Sequence, residues 1–74
     1  MPKLRRLSGR DTCRIMAEHG FVQVRRKGSH MIMRKKDGRT TITVPVPDHA
    51  ELNTGTLAGI IRQSGLPRTL FEVD

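Results

Sequence analysis

The residues best suited to chemistry are Lys27-Gly28-Ser29-His30, where a histidine follows a short, small-residue entry. Imidazole has an ordinary pKa of about 6.5, so it can take up or give back a proton near neutral pH. Glycine and serine in front of it let an anion such as a phosphate approach the backbone closely. Arg25, Arg26 and Lys27 stand just before the histidine, and Arg34, Lys35 and Lys36 just after. Proton transfer inside a positive field is what cleavage of an RNA phosphodiester requires. The same residues, taken alone, also fit a solvated histidine at a strand edge with no role. The triplet by itself does not choose between the two.

Other constellations are weaker. A Ser–His–Asp arrangement built on Ser29 is poorly supported, because neighbouring residues of a strand point to opposite faces. His19, His30, His49 and Cys13 have no recognised metal-ligand spacing, so no metal is expected. His49, in a loop further along, is a candidate second proton carrier, and strand parity does not say whether it reaches His30.

Charge adds direction. Met1 to Lys36 holds 11 Lys/Arg against 2 acids, a local +9, and the remainder holds 3 against 5, or −2. The chain as a whole carries +7. Positive charge confined to one half points to a polyanion, most simply nucleic acid. Tyr and Trp are absent and Phe21 and Phe71 are the only aromatics. That counts against surfaces that stack bases on exposed rings, so affinity should come mostly from phosphate contacts. A pure protein-interaction domain, stable only with an acidic partner, is a third possibility.

With 74 residues the chain makes one domain, 1–74, near the lower size limit for folding unaided. Cys13 is the only cysteine, so no internal disulfide can form, and a lone thiol suits a reducing cytoplasm. No apolar run approaches the roughly 18 residues of a membrane span. No cofactor motif is present.

The elements that must position these residues follow from local signals. Ser8 to Gly20 reads as a helix: Ser8 and Asp11 form a short-acid capping box, and Gly20 supplies the stop. Cys13, Met16 and Ala17 form its expected buried stripe, with Arg10, Arg14 and Glu18 opposite. Phe21 to Arg26 and His30 to Lys35 read as strands separated by Lys27-Gly28-Ser29. Lys36-Asp37-Gly38-Arg39 is a hairpin signal, since Asp-Gly tolerates positive φ. Thr40 to Val44 is a third strand with Ile42 and Val44 on one face, and Pro45 and Pro47 are expected to end it. Parity places His30 with Ile32 and Arg34. Asp48 to Leu52 is a loop, after which Asn53 or Thr54 caps a helix carrying Leu57, Ile60 and Ile61, stopped by Gly65. Leu70 and Phe71 can pack in the tail. The fold class is α+β: an α-β-β-β-α order with a three-stranded antiparallel sheet and helices on one face.

Gly20-Phe21, Lys27-Gly28-Ser29-His30, Thr43-Val44-Pro45, His49, Gly55-Thr56-Leu57, Ile60-Ile61-Arg62-Gln63 and Gly65-Leu66 stand in an order and spacing that resembles the HicA toxin family. The resemblance runs from about Leu7 to about Phe71. It implies a fold similar to a double-stranded-RNA-binding domain and a small endoribonuclease that cuts messenger RNA, expected to be metal-independent because no ligand cluster is present. It implies a HicB-type antitoxin as protein partner. It also implies that His30 is the catalytic residue, with Gly28 and Ser29 as motif neighbours. RNA contacts are expected from Arg25, Arg26, Lys27, Gly28, Ser29, Arg34 and Lys35, with Arg26, Lys27 and Lys35 stabilising charge at the reacting phosphate. The chain departs from the family pattern at Thr12, Cys13 and Met16 and in a shortened C-terminal helix. Its second helix offers only Arg62 where duplex-binding domains cluster lysines. The alternative is a basic RNA-binding module that cuts nothing.

Overall fold

A computed structural model describes residues 2–73. The order is α1 (Gly9–Ala17), β1 (Val22–Lys27), β2 (His30–Asp37), β3 (Thr40–Pro47) and α2 (Thr54–Ser64), then a 3-10 turn at Arg68–Phe71. The strands form one antiparallel sheet in the order β1-β2-β3. This is the expected α+β architecture.

The capping box at the start of α1 is present: Asp11 N–H donates to Ser8 Oγ at 2.9 Å and Ser8 N–H to Asp11 Oδ2 at 3.4 Å. The helix ends earlier than expected, with Glu18 as its C-cap, and its buried residues are Gly9, Thr12, Cys13 and Met16. Ala17 is exposed. Thr12 takes the place expected for Ala17 in the stripe, and its hydroxyl is satisfied by the Ser8 carbonyl at 2.9 Å. A polar side chain is tolerated in the core because its one donor has a partner.

Both hairpins have two-residue turns closed by a cross-strand pair, Lys27 with His30 and Asp37 with Thr40. Gly28 and Gly38 each hold the first central position, at φ 59° and 62°, and no non-glycine residue among those described has positive φ. That is the pattern of turns needing glycine first, so Asp37 ends a strand rather than entering the turn.

β3 runs through Pro45 and Pro47, past its expected end at Val44. β3 is an edge strand, and residues two apart aim their N–H positions the same way. Both prolines therefore present their missing donors to the open edge, where the ladder loses nothing. Val46 between them keeps its place in the core.

Met31 and Met33 from β2 and Val44 and Val46 from β3 meet Cys13 and Met16 of α1 and Leu57, Ile60 and Ile61 of α2. Phe21 and Phe71 close this core at 2% and 0% exposure, so neither aromatic ring is available for base stacking. Asn53 caps α2 through a 2.8 Å bond from Thr56 N–H, and Gly65 ends it. The tail is tied down by the N-terminal arm, an arrangement that local signals did not suggest. Arg5 N–H donates to Phe71 O and Val73 N–H to Lys3 O, both at 2.8 Å.

Candidate nucleic-acid interface

The face of the sheet away from the helices carries His30. The strand register sets its neighbours: Lys27 on β1 and Pro47 on β3 lie directly opposite. Arg25, Ile32 and Pro45 make the next row, and Val22, Arg34 and Thr43 another. Lys36 and Thr41 extend the same face. Among its strand residues are four cations, the histidine and no carboxylate. Directly opposed Cβ atoms are about 4.5–5.5 Å apart, which puts the Lys27 stem beside the imidazole. Arg34 and Lys36 follow at about 13 and 20 Å along β2.

A β-bulge decides which cations share this face. Gln23 pairs with Met33 but Arg25 pairs with Ile32, leaving Val24 as the extra residue. Beyond the bulge, Arg25 and Lys27 share the His30 face, and Arg26, paired with Met31, lies on the other. Bulges re-aim side chains in this way, and alternation alone does not reveal one.

The candidate residues therefore divide. Arg25, Lys27, His30 and Arg34 are together on the open face, and all are exposed. Lys35, paired with Ile42, lies on the helix side, with its ammonium 5.8 Å from the Phe21 ring centre. Arg26 is engaged elsewhere: its Nη1 donates to Asp48 Oδ2 at 2.8 Å and its Nε to the Gly28 carbonyl at 3.1 Å. Lys36, on the His30 face, takes the place that Lys35 was expected to fill. Gly28 and Ser29 form the turn into His30.

Asp48 is the residue that sequence reasoning missed. Its carboxylate also accepts from Arg10 Nε at 3.2 Å, and its own N–H donates to the Ser29 carbonyl at 2.7 Å. Hydrogen bonds from Arg26 and then Arg10 hold this carboxyl below its ordinary pKa. A single acid after Pro-Val-Pro in a basic chain is the only trace it leaves in the sequence. His49 follows it, exposed, two residues beyond the cross-strand partner of His30. His19 lies past the end of α1, where its Nδ1 donates to the Ile15 carbonyl at 3.0 Å. Among the described residues, no group of three or more His, Cys, Asp or Glu could hold a metal ion. Among the described residues, no helix is long and apolar enough to cross a membrane.

Neither curated proteins nor solved structures give a match to this chain. A model of the family described as the HicA toxin of bacterial toxin-antitoxin matches residues 9–66 of the 74. That span begins at the first residue of α1 and takes in the whole sheet and α2. The chain belongs to the HicA toxin family of bacterial toxin–antitoxin systems.

Proposed function

We propose that this chain is a toxin whose activity is endonucleolytic cleavage of messenger RNA, with His30 as the acid/base, acting in the cytoplasm as one HicA-like domain spanning 1–74. The observation that carries the reading is the placement of His30. It is exposed at the first position of β2, on a face whose strand residues include Arg25, Lys27, Arg34 and Lys36 and no acid. The likeness of the α-β-β-β-α order to double-stranded-RNA-binding domains fits an RNA substrate. A single strand is the better fit, since Arg62 is the only cation of α2.

RNA carries its own nucleophile. The 2′-hydroxyl loses its proton and attacks the adjacent phosphorus, and the bond to the 5′-oxygen breaks as that oxygen gains a proton. The products are a 2′,3′-cyclic phosphate and a free 5′-hydroxyl. His30 takes up the first proton or delivers the second, and proton transfer of this kind contributes about 10²- to 10⁴-fold. Lys27, directly across from it, counters the charge that builds on the phosphoryl oxygens. His49 is the candidate for the other proton.

Release of RNA fragments by the purified chain and by its His30→Ala variant tests the reading. The variant is expected to cut about 10²- to 10⁴-fold more slowly while binding RNA as the wild type does. Wild-type cutting should persist in excess EDTA and leave 2′,3′-cyclic phosphate ends. Equal cutting by the variant overturns the role of His30. Absence of cutting by wild type and variant alike, with RNA still bound, favours a non-catalytic RNA-binding module.

A further inference from the structure

We infer that Asp48 is a positioning residue for His30, clamping the turn from which the histidine is presented; this rests on the cleavage reading above. The turn Gly28-Ser29 has two carbonyls to satisfy, and both are held by one small network. The Gly28 carbonyl accepts from Arg26 Nε at 3.1 Å, and the Ser29 carbonyl accepts from the Asp48 N–H at 2.7 Å. The Asp48 carboxylate then fixes the donor of the first bond by gripping Arg26 Nη1 at 2.8 Å. Its other oxygen takes Arg10 Nε at 3.2 Å, which ties the network to the start of α1. Gly9 N–H donates to the His49 carbonyl at 2.9 Å, holding the next residue to the same helix.

These ties act on the residue before His30 and on the residue after its cross-strand partner. Ser29 precedes His30 in the chain, and Pro47, its partner across the sheet, precedes Asp48. The Asp48 side chain is only 14% exposed, although Arg26 is 49% and Arg10 74% exposed. Exposed ion-pair arms contribute little to stability. What they supply is orientation, because Arg26 without its carboxylate becomes a long cation free to leave the Gly28 carbonyl. A small misplacement of a reacting group can cost as much as about 10²-fold in rate.

Charge alone predicts the opposite result for substrate binding. Neutralising Asp48 removes a negative charge beside an RNA surface and frees two guanidinium groups, so phosphate binding should hold or tighten. Asp48→Asn is therefore expected to lower kcat by about 10- to 100-fold with KM unchanged or reduced. Arg26→Ala should lower kcat to a similar extent, and the double variant should be little worse than either alone. Asp48→Glu, which restores the carboxylate on a longer arm, should recover part of the rate. Amide hydrogen exchange at residue 48, whose N–H donates to the Ser29 carbonyl, should quicken in Asp48→Asn, a readout that needs no catalysis.

Unchanged exchange at this amide overturns the clamp. Faster exchange with an unaltered kcat, or additive losses in the double variant, overturns the positioning role. Both leave the cleavage reading standing as long as His30→Ala is inactive. If His30→Ala cuts as the wild type does, the cleavage reading itself fails and the positioning role fails with it.

Discussion

His30 and Asp48 make different demands on their surroundings. The histidine is exposed, as its proposed role in cleavage requires. The aspartate is largely enclosed and needs its charge, since Arg26 and Arg10 are both aimed at it. Its carboxyl is held below the ordinary value by those hydrogen bonds, and Asp11 is likewise lowered by bonding from Ser8. A carboxyl with a depressed folded-state pKa stabilises the fold at pH above its unfolded value of about 3.9. That contribution fades as the pH falls through the folded-state value. Wild type should thus be more heat-stable than Asp48→Asn at pH 7, and the gap should close as the pH is lowered below about 4. Melting curves across pH check this, and a gap that stays constant into acid would show that the loss is one of packing. Cys13 is a buried titrating group in the same region. Burial chiefly, and the Asp48 charge secondarily, push its thiol up to about 11. Alkylation of the native protein at neutral pH should consequently be slow and become fast only on unfolding.

At the scale of elements, glycines separate tight packing from open space. A Cβ at Gly9 would run into the Pro47 carbonyl oxygen, so α1 sits directly against the end of β3 because this residue has no side chain. Alanine there should destabilise by about 1–3 kcal/mol, as overpacking does, even though it is the better helix former. A Cβ at Gly59 meets only the Arg62 side chain at 3.7 Å, an ordinary contact. Gly59→Ala, inside α2, should stabilise by up to about 1 kcal/mol. For a chain of this size each 1 kcal/mol moves Tm by about 4–8 °C, so the two variants should melt on opposite sides of the wild type. The elements themselves were largely legible in the sequence. Ser8, Asp11 and Asn53 mark helix starts by their side-chain chemistry, and Gly28, Gly38 and Gly65 mark places where φ turns positive. Such signals are local. The extension of β3 through Pro45 and Pro47 was not legible, because it depends on which edge of the sheet the strand occupies. The bulge at Val24 was hidden for the same kind of reason, and with it the division of Arg25 and Lys27 from Arg26. The Asp48 network joins residues 22 and 38 positions apart. No spacing rule reaches that far.

For the whole molecule the decisive quantity is where +7 is placed rather than its size. Arg25, Lys27, Arg34 and Lys36 stand on the open face, whereas Arg26 is neutralised by Asp48 and Lys35 lies against Phe21. For single-stranded RNA each phosphate contact contributes about −0.7 to the slope of log K against log salt. Replacing Arg25 and Lys27 together by Ala should make that slope shallower by about 1.4 units, while Lys35→Ala should leave it unchanged. Base preference should hardly move, because phosphate contacts position the chain without reading sequence. The family implies a HicB-type antitoxin. An antitoxin that silences the toxin by covering the His30 face must present acidic groups to these same cations. Association with it should then be steered by charge, fast at low salt and slowed as salt is raised. In Arg25→Ala/Lys27→Ala the association rate should fall and its salt dependence flatten, with a smaller change in the dissociation rate. Stopped-flow mixing with the antitoxin at several salt concentrations measures both. If the double variant associates at the wild-type rate at every salt concentration, the antitoxin docks away from the open face and must inhibit without covering His30.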